Sequence, residues 1–350
     1  MLHLSTASHG GRWILLIDEQ EQQFHTTNTA APPSNSSSHH QSPLIIDDVV
    51  ISSLLHCLRT YSLHSHRNGR EHFSYQQIDL DIPRTFPTHA FFAAPDSIGQ
   101  TELRRVLSAY VIWEDSTFAT LNSKEEKEEE EEQVDGVATP PTCQCGYVQG
   151  MNMIAGHLLQ HMDEAHAFHL LCHLMVNPKY NLQSILREGM KGLYDKLEVL
   201  NMLVHQHLPS VSKVLEQANV PLLFFCTEWV LTLFSYVFEG EFLNIFFDIF
   251  FQNGWIGFYR VALALMKSVE IDLVKASLGN VDDMQGKVLS IVKGIGRRAT
   301  KYQGRGCSSS VADAADAAAG DMHIFVVAES FLINESDLVL LGSNVEERDK

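Results

Sequence analysis

Between Gly146 and Leu159 the sequence runs Gly-Tyr-Val-Gln-Gly-Met-Asn-Met-Ile-Ala-Gly-His-Leu-Leu. It opens small and polar and closes apolar. Ile154, Leu158, His161 and Met162 recur at helical spacing, which predicts a tight turn feeding directly into a helix. Gln149 stands in or near the first turn of that helix, and a neutral amide there donates and accepts at once, so it can hold a water or a carbonyl in place. The same residue can also do no more than cap or pad a helix start.

A second stretch upstream reads Ile78-Asp79-Leu80-Asp81-Ile82-Pro83-Arg84-Thr85-Phe86-Pro87-Thr88-His89. The prolines on either side of Arg84 predict a stiff, non-helical backbone. Asp81, three residues earlier, can orient the guanidinium. An arginine on a rigid loop is a poor core residue and a good donor fork for phosphate oxygens.

Taken together, the two stretches resemble the TBC domain, the family of GTPase-activating proteins for Rab GTPases. Ile78, Asp81, Arg84, Thr85, Phe86 and Pro87 match its Ile-x-x-Asp-x-x-Arg-Thr-Phe-Pro motif, and Tyr147, Gln149, Gly150 and Met151 its Tyr-x-Gln-Gly-Met motif. The likeness extends over roughly residues 75–270. It takes in the Leu-Arg-Arg-Val-Leu run at 103–107, the segment 227–234 and the run from Phe247 through Gly254-Trp255 to Leu265. Glu228, Val230 and Phe247 depart from the residues usual in the family. An Arg-Gly-x-x-Trp-like element that usually precedes the Arg motif is not found upstream.

The resemblance implies an all-α, two-lobed helical domain over residues 44–270. It implies Arg84 as an arginine finger and Gln149 as a glutamine finger, both supplied in trans to a Rab-family small GTPase to speed GTP hydrolysis. Asp81 would position the Arg84 loop and Tyr147 would support the Gln149 loop. No cofactor is expected on this chain, since GTP and magnesium belong to the partner, and no reaction of its own, so that it acts as an activator in vesicle traffic. Two rival readings stand beside this one. One is a catalytically silent TBC-like module that binds a small GTPase as effector or scaffold; the other is an unrelated helical, membrane-associated protein.

The rest of the chain is read from composition and period. With 350 residues, 45% hydrophobic and 19% charged, it can bury a large core. Its net charge of −18 argues against nucleic acid as a partner. Leu103, Val106, Leu107, Tyr110 and Val111 form one helix face, with Arg104 and Arg105 off it. Leu193, Leu197, Leu200, Leu203, Val204 and Leu208 form another, ended by Pro209. The most apolar window, Val220–Phe238, is expected as a buried helix pair rather than a membrane span, since it carries Glu228 and is closed by Glu239 and Glu241.

Thr26–Ser42 is rich in Ser, Thr, Asn, Pro and His, so residues 1–43 are expected to be disordered. Trp13–Ile17 is too short for a signal peptide. Lys124–Glu132 holds seven Glu and two Lys, and Pro140-Pro141 follows, so residues 116–142 are expected as a disordered acidic insertion. Residues 271–350 are expected as a partly disordered extension. It has six basic residues between Lys287 and Arg305, a low-complexity stretch at 307–320 and a short strand near His323–Val327.

Six scattered cysteines and the i, i+4 histidine pairs His157/His161 and His169/His173 point to free thiols and helix histidines rather than a metal site. These readings place the protein in the cytoplasm and leave peripheral contact with endomembranes open.

Overall fold

In a computed structural model of the protein, the described residues are 9–14, 52, 54–59, 73–129, 146–187, 189–279, 283–295 and 324–348. Among them the secondary structure is helical, with no strand. The chain divides into two compact units, Met1–Gly189 and Met190–Lys350.

The first unit is built on α1 (Phe73–Asp81), a 3-10 turn (Ile82–Arg84), α2 (Ile98–Glu129), α3 (Met151–Leu159), α4 (Glu164–Val176) and α5 (Leu182–Leu186). α2 is its spine: Leu103, Val106, Leu107, Tyr110 and Val111 are buried as the periodicity predicts, and α3 and α4 pack along it. The two arginines off that face tie the spine to its neighbours, Arg104 to Asp79 at 2.7 Å and Arg105 to Glu164. Every residue of α3 is buried, which is why its sequence is apolar nearly all round. The carboxylate of Asp163 accepts from the N–H groups of Ala165 and His166 and so caps α4.

The second unit contains α6 (Lys191–His207), α7 (Pro209–Gln217), α8 (Leu223–Thr232), α9 (Glu241–Asn253), α10 (Trp255–Ser268), α11 (Glu270–Ser277), α12 (Met284–Lys293) and α13 (Glu335–Arg348). Its core is aromatic. Phe234 stacks on Phe258 and meets Phe246 edge-on, each at 4.8 Å, and Phe238 stacks on Phe242 at 4.2 Å. A single residue, Gly254, joins α9 to α10 at φ 56°, a conformation that favours glycine.

Several expectations are corrected. Residues 9–14, expected to be disordered, are helical, and Trp13 is fully buried against His157 and His161. One tryptophan buries enough apolar area to order a turn that the polar tract after it conceals. α2 continues through Glu129, so the first half of the expected insertion 116–142 is helical, in keeping with the helix propensity of Glu and Lys. The apolar window Val220–Phe238 holds one helix, α8, rather than a pair. Leu233 and Phe234 close it with positive φ, and no described helix is long and apolar enough to cross a membrane. Residues 324–330 are helical, not a strand. Residues 15–43, 130–145 and 296–323, the last including the stretch 307–320 and part of the basic run, lie outside the described residues.

Candidate functional site

Arg84 ends the 3-10 turn that continues directly from α1. The proline-bracketed path is therefore helical after all, of the tighter kind. Pro83 falls at the start of the turn, where its missing N–H leaves no bond unmade. Thr85 then turns extended, and its N–H closes on the Ile82 carbonyl at 3.1 Å. Phe86 follows at φ 42° with its ring buried, an unfavourable backbone for a bulky residue, held by contacts to Phe92 and to Gly156 of α3. A Cβ at Gly156 would lie 2.7 Å from the Thr85 methyl, so the glycine is what lets the arginine loop sit down on the helix. The Arg84 side chain is 70% exposed.

Gln149 is also exposed, in the turn immediately before α3. Gly150 caps the helix at φ 111°, so the chain reverses there. The turn is held on both flanks. Upstream, the Gly146 N–H donates to the buried Glu114 carboxylate at 2.6 Å, and the Tyr147 N–H to Ser74 at 3.2 Å. Downstream, the Gly150 N–H donates to Asn152 Oδ1 at 3.0 Å.

Two buried hydrogen bonds join the loops. The Tyr147 hydroxyl donates to Asp81 Oδ2 at 2.8 Å, and Asn152 Nδ2 donates to Thr85 Oγ1 at 2.8 Å. Thr85 in turn donates to the Asp81 carbonyl at 2.9 Å. The expected Asp81–Arg84 pair is loose, 3.7 Å with the guanidinium largely in solvent, and worth little. Asp81 accepts from Tyr147 instead, and Tyr147 both holds its own turn, through its N–H to Ser74, and ties that turn to the arginine loop. Burial, then the Asp81 hydrogen bond and charge, push the Tyr147 phenol far above its ordinary pKa, so it stays a donor.

The arrangement presents a planar five-donor cation and a neutral amide, both exposed, from two loops bound to each other beneath the surface. A guanidinium suits anionic oxygens; an amide suits a water that must be held.

Three contributors escaped the sequence reading: Asn152, Glu114 and Ser74. Asn152 alone was recoverable, since a lone amide in the first turn of a helix otherwise apolar will be buried and must be satisfied. Glu114 also accepts from Gln183 Nε2 at 2.8 Å, a contact between residues distant in sequence. His157 and His161 do share a face, edge to face at 4.9 Å, but against Trp13. Among the described residues no three His, Cys, Asp or Glu are grouped to hold a metal ion.

The model of the Rab-GTPase-TBC domain family matches residues 37–117 and 141–274, more than half of the sequence, and the chain belongs to that family. The match breaks across the acidic segment. Over 202 residues the chain is 26% identical to the Rab GTPase-activating protein tbc-11 of Caenorhabditis elegans, covering 58% of this chain and 18% of that protein. Over 191 residues it is 31% identical to TBC1 domain family member 4 of Mus musculus, covering 55% of this chain and 12% of that protein. The chain thus spans less than a fifth of the length of these relatives. The solved Chlamydomonas flagellar RabGAP TBC domain is 20% identical, with a TM-score of 0.49 over 83% of this chain and 91% of that one.

Proposed function

We propose that the protein accelerates GTP hydrolysis on a Rab-family GTPase, with Arg84 as arginine finger and Gln149 as glutamine finger. The observation that carries this reading is the pair of hydrogen bonds from Tyr147 to Asp81 and from Asn152 to Thr85. Through them two exposed side chains of complementary chemistry leave one joined platform. As GTP is cleaved, charge gathers on phosphoryl oxygens while a water must be held in line. Arg84 meets the charge, and an arginine supplied in trans contributes about 10³–10⁵ in rate. Gln149 holds the water by donating and accepting. Asp81 and Tyr147 keep the two loops together. The nucleotide and its magnesium ion belong to the partner, and this chain takes no cofactor. Its place is the cytoplasm, at the periphery of endomembranes that carry the GTPase, where it regulates vesicle traffic.

The test is a screen of stimulated GTP hydrolysis across a panel of Rab GTPases. Arg84→Lys, which keeps charge but loses the planar fork, should lose at least about 100-fold. Arg84→Ala and Gln149→Ala should each lose most of the stimulation, and the double variant should be little worse than either, because the two serve one transition state. Wild-type protein should be trapped on its Rab by GDP and a metal fluoride, and either variant should weaken that complex. Near-normal rates in Arg84→Lys would remove the finger assignment. Stable Rab binding without stimulation would point to the silent module instead.

A further inference from the structure

We infer that Asn152 is the positioning residue that sets the register between the arginine and glutamine loops. This deepens, and rests on, the reading of Arg84 and Gln149 as two fingers on one transition state. The assignment follows from the direction of the bonds. Asn152 Oδ1 accepts from Gly150, the residue next to Gln149, so its Nδ2 is the end that reaches Thr85, the residue next to Arg84. The Thr85 hydroxyl accepts that bond and spends its own proton on the Asp81 carbonyl. One buried amide therefore touches both loops, each one residue from its exposed side chain.

No other side chain of the network does this so directly. Tyr147 and Asp81 each stand farther from the tips, and the bonds of Glu114 and Ser74 to this site go to the glutamine loop, at Gly146 and Tyr147. The site excludes sloppier solutions: Asn152 is 4% exposed and Thr85 fully buried, so no solvent replaces a lost partner. Gly156 lies directly beneath them, where a Cβ would meet the Thr85 methyl at 2.7 Å. An amide is required because the two contacts have opposite polarity, an acceptor for a backbone N–H and a donor for a hydroxyl. The hydrogen bonds fix where the loops stand; neither finger is touched.

The experiment uses the full chain with its responsive Rab. Asn152→Leu and Thr85→Val both break the link, one from each side. Each should lower kcat roughly 10- to 100-fold, the scale of a small misplacement, while KM for the GTP-loaded GTPase changes little. In an Arg84→Ala background the same changes should cost almost nothing further, since a positioning residue acts only through what it positions. Thr85→Ser, which keeps the hydroxyl, should recover most of the rate lost by Thr85→Val.

A loss that shows in KM alone, or that persists undiminished without Arg84, overturns the inference, as does a wild-type rate in Asn152→Leu. These outcomes leave the finger assignment standing if Arg84→Ala and Gln149→Ala remain inactive. Amide hydrogen exchange supplies a readout independent of activity. In Asn152→Leu, exchange should quicken in both 82–89 and 146–153, and quickening confined to 146–153 overturns the link even where no Rab responds.

Discussion

Two regions of this molecule bury their side chains by opposite means. Around residues 81–86 and 147–152 buried polar groups sit among apolar ones: Asp81, Thr85 and Asn152 are buried with named partners at 2.8–3.0 Å. Around residues 234–258 it is almost wholly aromatic, phenylalanine on phenylalanine. Apolar packing supplies the larger free energy and tolerates exchange of one shape for another. Directional bonds contribute less net stability, but they specify which atom faces which. The first unit adds directional bonds between two loops to its apolar core, and the second fills its interior with aromatic bulk.

The contrast can be broken by experiment. Phe246→Ala should be the most damaging change to stability, costing about 3–5 kcal/mol, because it opens a cavity among Phe234, Phe247, Phe250 and Phe258. Denaturant midpoints measure it. Tyr147→Phe should cost less, about 1–3 kcal/mol, from leaving one buried Asp81 oxygen without its donor. If it equalled Phe246→Ala, the polar region would be a core in its own right and the contrast would fail.

Acid should weaken the first unit through His157. Burial first, then the neighbouring His161, His9 and His89, hold this imidazole well below the ordinary pKa, so it is neutral in the fold. The unfolded chain takes up a proton at this position below about pH 6.5. Stability is therefore full above that pH and falls as the pH drops toward the folded value, by up to about 1.4 kcal/mol per unit. Melting curves between pH 7 and 5 should flatten in His157→Leu, and an unchanged slope would place the sensitivity elsewhere. The smallest effect is expected at Arg84→Ala: the side chain lies mostly in solvent, so stability should stay within about 0.5 kcal/mol of wild type. A larger loss would mean that the arginine props up its own loop.

What the sequence disclosed follows the same division. Helical period exposed the spine residues Leu103 to Val111, because apolar burial leaves a 3.6-residue signature. Arg84 stands out through its flanking prolines, and Gln149 only through the motif that resembles the family's, since its bare surroundings equally suit a helix start. The struts between their loops were hidden, since Asn152–Thr85 and Gly146–Glu114 link residues far apart in the chain and a single polar side chain has no period. The helical turn at 9–14 was masked by the polar stretch beside it, and the proline pair concealed that a 3-10 turn accommodates Pro83 well. α2 runs the other way: the density of charge from Lys124 predicts a solvated, disordered segment, yet the helix continues through Glu129, since glutamate and lysine are among the better helix formers.

The Glu114 carboxylate has one more consequence. It takes the Gly146 N–H, so the chain that departs along α2 comes back to the helix it left, after an excursion of more than thirty residues. The turn carrying Gln149 is therefore footed on α2 itself, at residue 114, rather than only on the residues that immediately precede it.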